Sequence, residues 1–348
     1  MAAPTAPPLI SPPPLASASP VDVEAIDRLA AQRQALVEQI ARVIVGQHEV
    51  IDNVLLTIFC GGHGLVVGVP GLAKTLLIRS LGRALNLTFS RIQFTPDLMP
   101  SDITGTDILQ EDPNNGQRRL EFLPGPIFAN LVLADEINRT PPKTQAAMLQ
   151  TMQEREVTVG NRTYPLRPPF HVFATQNPIE MEGTYVLPEA QADRFMFQIN
   201  TGYPTNAEEE LVVRNTTGTE SPELQPVLDG AQIIEIQKLV RALPISDEVL
   251  RYAVRLVAST RPEDPLASDY VKEYVRWGAS PRASQYLALG AKARAATSGN
   301  LCADYEGVRS VARQVLRHRI LLNFNARAQK ITVNDIIEKL LADVQPGR

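Results

Sequence analysis

The chain has 348 residues, of which 44% are hydrophobic and 21% charged, with a formal net charge of −4; this balance excludes wholesale disorder, a collagen-like or coiled-coil rod, and any global pull toward nucleic acid or anionic membrane. The length favours two ordered domains over one. Two cysteines, Cys60 and Cys302, are too few for a disulfide framework or a four-cysteine zinc site and read as small buried residues in a reducing, cytoplasmic setting.

The first twenty residues hold seven of the 28 prolines and neither lysine nor arginine. Residues 1–22 therefore read as a disordered or polyproline tail that lacks the basic start of a secretory signal. From about Val21, the apolar residues Ile26, Leu29, Ala30, Leu36, Val37, Ile40 and Ile44 recur mostly three and four apart, which predicts a helix ended by Gly46. Within residues 23–203, short apolar runs alternate with helical segments. Five runs, Leu65–Val67, Leu87–Gln93, Leu131–Ala134, His171–Ala174 and Phe195–Ile199, are mostly apolar throughout, as parallel strands covered on both faces should be. The expected fold is α/β, a five-stranded parallel sheet flanked by helices. Two segments inside it read as β-hairpins, one around the turn cluster Asp112 to Gly116 and one around Gly160-Asn161. Residues 204–228 read as a short helix and polar linker, and 229–345 as a smaller all-helical domain. There Tyr274 and Trp277 are expected on one helical face. No run approaches eighteen apolar residues, so no membrane span is expected, and the four histidines, His48, His63, His171 and His318, show no metal-ligand spacing.

Three stretches carry chemistry. Gly68, Val69, Pro70, Gly71, Leu72, Ala73, Lys74 and Thr75 follow a strand and open a helix through Leu76, the context of a phosphate loop. Glycines let backbone amides face phosphate oxygens, and the helix presents its positive end to the same anion. Lys74 would reach the β and γ phosphates of ATP, and Thr75 would set its hydroxyl on Mg²⁺. The usual glycine before the lysine is Ala73 here, and a methyl is expected to be tolerated. Asp135 and Glu136 end an apolar strand: Asp135 would hold Mg²⁺, usually through water, and Glu136 would polarise the attacking water, unless both are simply first-turn acids complementing a helix dipole. Asn177, after the His171–Ala174 strand, either caps a turn before Pro178 or offers its amide to the γ phosphate or that water.

The segments VIVGQ at 43–47, GVPGLAKT at 68–75, LADEINR at 133–139, ATQNP at 174–178, EAQADRF at 189–195 and GASPRA at 278–283 together resemble the MoxR family of AAA+ ATPases. The resemblance spans about 23–345. It implies a helical lid over 229–345, ATP hydrolysis by a ring, typically a hexamer, and a chaperone-like remodelling role, often with a partner carrying a von Willebrand factor A domain. It also implies that the two hairpins project toward the central channel. By the family's motif Arg194 is the arginine finger, reaching a neighbouring subunit's γ phosphate, and Arg282 is the sensor-2 arginine, folding down on the nucleotide from above; either could instead be a surface arginine in an ion pair. Val45, Gly46 and Gln47 match the family's region beside the adenine. The client is not named by the sequence. Two other outputs compete: a nucleic-acid motor, opposed by the acids that offset Arg118, Arg119, Arg155 and Arg162 in the hairpins, and a nucleotide-gated scaffold without turnover, in which Glu136 and Arg194 would be dispensable.

Overall fold

A computed structural model of the chain describes residues 22–111, 118–179, 183–218 and 222–347. The turn cluster of the first hairpin, Asp112 to Gly116, and the proline-rich tail up to Val21 lie outside the described residues.

Asp22 opens the first helix, Val23–Ala41, by accepting a hydrogen bond from the Ala25 amide at 3.2 Å. This helix ends at Ala41, five residues before Gly46. The apolar periodicity runs on to Ile44 because a turn, not helix, carries that residue into the core. Gly46 and Gln47 then take left-handed backbone (φ 64° and 52°) and swing the chain into the helix His48–Phe59.

The central sheet contains β1 (Gly64–Val67), β2 (Phe89–Gln93), β3 (Leu131–Asp135), β4 (His171–Gln176) and β5 (Phe197–Asn200), in the order β2-β3-β4-β1-β5, all parallel. Phe195 and Met196 precede β5 instead of forming its start, as the sequence suggested, although both are fully buried. Successive side chains point to opposite faces. Val66, Leu131, Leu133, Phe173 and Phe197 pack with the first three helices and the lid, whereas Leu65, Val132, Ala134, Val172 and Ala174 pack with the helix Pro142–Glu154 on the other face.

The hairpins pair Gly105–Glu111 with Arg118–Pro124 and Glu156–Val159 with Arg162–Pro165, both antiparallel. They lean on each other through stacked Phe122 and Tyr164 rings, 4.0 Å between centroids. Cross-strand Leu109 and Leu120 of the first hairpin are exposed.

The lid is built on helices Gly230–Ala242, Asp247–Ala258, Pro281–Thr297, Tyr305–Leu316 and Val333–Asp343, with one short antiparallel pairing between Val275–Trp277 and Leu321–Leu322. The preceding helix stops at Tyr274, so Trp277 lies on that strand, exposed, and shares no helical face with buried Tyr274. Asp304 caps the Tyr305 helix by accepting from the Gly307 amide at 2.7 Å. Cys60 is buried as expected, but Cys302 is exposed because it sits in the turn before that cap. Carboxylates tie lid to core: Asp52 accepts from Arg33 at 2.6 Å and from Arg294 of the lid, and Glu49 accepts from Gln314 at 3.2 Å. No helix among the described residues is long and apolar enough to cross a membrane.

Two buried histidines stitch the strand ends. His63 accepts from the Val172 amide through Nδ1 (2.9 Å) and donates through Nε2 to the Met152 carbonyl (3.1 Å). His171 donates through Nδ1 to the Gly62 carbonyl (2.9 Å) and accepts from Gln237 of the lid (3.2 Å). Burial pushes His63 down to about 3 and His171 down to about 4. Each lowered native value means that the unfolded chain binds a proton the native chain refuses, so this stability is complete above about 6.5 and is lost as pH falls from there toward 4. The expected slope is up to about 1.4 kcal/mol per pH unit per histidine. Urea unfolding at pH 7.5 and pH 5 should give a lower midpoint at pH 5, and His63→Gln, which keeps a donor near Met152, should flatten the dependence; a wild-type midpoint that ignores pH would refute the assignment.

Candidate active site

The phosphate loop leaves the carboxyl end of β1. A Cβ at Gly68 would lie 1.8 Å from the Thr201 hydroxyl, so only glycine fits where the loop passes β5. Gly71 takes φ 85° over open space. Ala73 also stands in the left-handed region (φ 53°), which explains why glycine is usual there; its methyl is accommodated at a strain of about 1–2 kcal/mol. The helix Lys74–Ala84 starts at the lysine itself, so its first-turn amides, which have no partners within the helix, face the loop. Lys74 Nζ reaches back to the Gly68 carbonyl across the loop. The 45–47 turn abuts the same loop: Gln47 donates its amide to the Leu72 carbonyl at 3.3 Å, and Gly46 packs against Glu208. The amide of Gln47 thus braces the loop directly.

The carboxyl ends of β3 and β4 deliver the other groups, because parallel strands place all their following loops on one edge of the sheet. A cavity of about 370 Å³ is lined by Pro70 to Leu76, by Asp135 and Glu136, and by Thr175 and Asn177. Asp135, 8% exposed, accepts from Thr175 Oγ1 at 2.6 Å on one oxygen and from Arg91 at 2.6 Å on the other, with Thr75 Oγ1 3.4 Å away. Glu136 has left-handed backbone (φ 58°), its amide donating to Thr175 at 2.8 Å. Its carboxylate accepts from Gln93 at 2.9 Å and pairs with Arg139 at 3.1 Å. Asn177 uses its oxygen to cap the Ile179 amide (3.2 Å), the turn reading, while its buried Nδ2 has no partner. That amide is a spare donor in the cavity.

Arg194 and Arg282 lie elsewhere. They line a second crevice of about 220 Å³ with Gly62, His63, Arg155 and Arg241. Gly62 and His63 immediately precede β1, and Arg194 precedes β5, which runs parallel to β1 from Gly64↔Phe197; the crevice is therefore at the amino edge of the sheet, opposite the phosphate loop. Arg194 has no side-chain hydrogen bond or ion pair among the described residues. Arg282, expected to fold down on a nucleotide from above, stands at this amino edge, away from the phosphate loop of its own chain. Asp193 captures it at 3.4 Å, and Ser280, the residue before its helix, at 2.9 Å, which holds the start of that helix at the amino edge.

Arg91, Gln93, Arg139 and Thr175 around the two carboxylates, and Arg155 and Arg241 in the crevice, were missed by sequence reasoning. Arg91 and Gln93 stood two apart on a strand otherwise poor in charge, the spacing of one strand face, and were a readable signal. Arg155 and Arg241 carry none.

Comparison with known proteins agrees with this fold. Residues 63–197 match the model of the ATPase family associated with various cellular activities, and residues 267–340 match an AAA lid domain. The chain is 42% identical over 306 residues to Chaperone MoxR1 of Mycobacterium tuberculosis, covering 88% of this chain and 80% of that one. It is 32% identical to Protein MoxR of Methylorubrum extorquens, covering 88% and 92%. A crystal structure from Cytophaga hutchinsonii, named as a candidate ATPase, superposes with a TM-score of 0.87 at 40% identity, covering 93% of this chain and 98% of that one. With a phosphate loop, a first hairpin, a strand-end Asp-Glu pair, a second hairpin and a helical lid in this order, the chain belongs to the MoxR family of AAA+ ATPases.

Proposed function

We propose that the protein hydrolyses ATP to ADP and phosphate in a ring whose sites are shared between neighbouring subunits, and that it uses this cycle to remodel client proteins. The observation that carries the reading is the division of the chemistry. Loop, carboxylates and Asn177 line one cavity, whereas both arginines line another at the far edge of the sheet. Arg194 and Arg282 therefore cannot meet the γ phosphate held by their own chain, and in this reading Arg194 of a second copy supplies the outer cation.

In this reading Val45, Gly46 and Gln47 border the base, the loop from Gly68 to Leu76 wraps the phosphates, and Lys74 leaves Gly68 to neutralise the β and γ oxygens. Thr75 and Asp135 would hold Mg²⁺: they form an oxygen-only donor set suited to a hard cation, with Asp135 already occupied on both oxygens, which suits contact through water. Bound there, the ion neutralises phosphate charge. Glu136 orients the attacking water, and Asn177 Nδ2 donates to the γ phosphate. Arg194 of the next subunit stabilises the charge that develops on the transferring group. The first hairpin carries little spare positive charge, since Arg118 pairs with Glu111 at 3.2 Å and Arg119 with Glu121 at 3.9 Å, which favours a protein client over nucleic acid. Chaperone MoxR1, whose name describes a chaperone, supports the same choice. A ring hexamer, a von Willebrand factor A domain partner and a cytoplasmic location complete the proposal by family analogy.

Two experiments test it. Lys74→Ala should abolish ATP binding measured by calorimetry, while Glu136→Gln should bind ATP normally and turn over at least about 100-fold more slowly. Equal ATP affinity in wild type and Lys74→Ala would defeat the assignment. Arg194→Ala should lose about 10³–10⁵ in rate with its affinity intact, and mixing it with Lys74→Ala should restore turnover wherever a good loop meets a good arginine. Mixed assemblies of confirmed mass that stay as inactive as either parent would exclude the shared site.

A further inference from the structure

Four consecutive main-chain carbonyls, 193 to 196, accept hydrogen bonds from lid side chains. Arg319 Nη2 donates to the Asp193 carbonyl at 2.8 Å and to the Phe195 carbonyl at 2.6 Å, and Nη1 donates to the Met196 carbonyl at 3.2 Å. Tyr286 Oη donates to the Arg194 carbonyl at 3.2 Å, and His318 Nε2 to the Phe195 carbonyl at 3.0 Å. The Arg319 Nε closes the set on the Asp193 carboxylate at 2.7 Å, and its guanidinium lies 5.1 Å from the Tyr286 ring centroid. Its side chain is 1% exposed.

A buried guanidinium is costly unless every donor is matched. Here all three nitrogens are matched, and most of their acceptors belong to the segment that carries Arg194. A planar fork imposes a fixed geometry on the acceptors it joins, which a flexible ammonium cannot do. The Arg194 side chain meanwhile has no partner among the described residues and projects from this clamped backbone into the crevice. We propose that Arg319, with Tyr286, is a positioning residue for Arg194, so that the lid of one subunit sets the aim of the arginine it presents to its neighbour. This rests on the shared-site reading of Arg194. It means that a lid displacement in one subunit is felt as a rate change at the next subunit's nucleotide, because segment 193–196 moves with the lid.

The test uses the full chain and ATP. Arg319→Gln should lower kcat about 100-fold, the scale expected for a catalytic group misplaced by an ångström, with ATP affinity within about twofold of wild type, and Arg319→Lys should fail to restore it. Tyr286→Phe removes a single hydroxyl and leaves the ring packing, so it folds even if Arg319→Gln does not. Its kcat should fall about fivefold, the value of one hydrogen bond. The decisive readout is location. Arg319→Gln and Tyr286→Phe subunits keep sound phosphate loops, so mixing either with Lys74→Ala, which keeps Arg194 well aimed, should raise turnover per sound loop toward wild type. A purely structural defect stays within its own chain and gains nothing from the mixture. Wild-type kcat in both variants overturns the inference. So does absent rescue when the Arg194→Ala and Lys74→Ala control mixture does rescue. Failure of that control mixture overturns the shared-site reading instead, and this inference with it.

Discussion

The polarity of the parallel sheet governs the chemistry of this chain. Since β1, β3 and β4 all run the same way, the loops that follow them gather phosphate loop, carboxylates and amide on one edge. The same constraint sends whatever precedes β1 and β5 to the opposite edge, where Arg194 stands. No rotamer of Arg194 can cross the sheet to its own loop, because four strand residues, roughly 13 Å, separate the two edges. Separation of Arg194 from the phosphate loop of its own chain is therefore a topological property of the fold, and the proposed sharing between subunits follows from it.

The lid is positioned chiefly by ionic contacts at two places, Asp52 with Arg33 and Arg294, and Asp193 with Ser280, Arg282 and Arg319. Half-buried ion pairs add little net stability once desolvation is counted, but they discriminate sharply between geometries. The apolar core that surrounds them is continuous from Ile26 to Leu341 and supplies the cohesion. Specificity of lid placement thus comes from a handful of carboxylates, and each one faces a guanidinium from the other unit.

Sequence reasoning reached the sheet because its central strands β1, β3 and β4 are largely apolar on both faces, and it reached Lys74, Thr75, Asp135, Glu136 and Asn177 because local spacing places them directly after strands. It misjudged elements whose limits are set by tertiary contact. Ile44 kept helical spacing although the helix had ended at Ala41, since burial and not helix geometry repeats there. Phe195 and Met196 looked like strand because they are apolar, yet their carbonyls are taken by Arg319 and His318 and not by a neighbouring strand. The Arg282 placement was invisible for a related reason: its partner Asp193 lies 89 positions away, and a long-range pair of single charges leaves no periodic trace.

Glu136 shows how closely balanced the resting site is. Its carboxylate is held by Gln93 and Arg139, with Arg139 40% exposed and Glu136 24%. Partly exposed pairs of this kind are worth only about 0–1 kcal/mol, so in the proposed role moving the carboxylate from Arg139 to a water costs little. Its backbone gives the opposite picture. The left-handed φ of 58° is fixed by the Thr175 hydroxyl under its amide, and that hydroxyl is itself committed to Asp135. The main chain at Glu136 is thus rigid while its carboxylate is free to exchange partners, which is the division a group needs if it must find water only after the phosphates arrive.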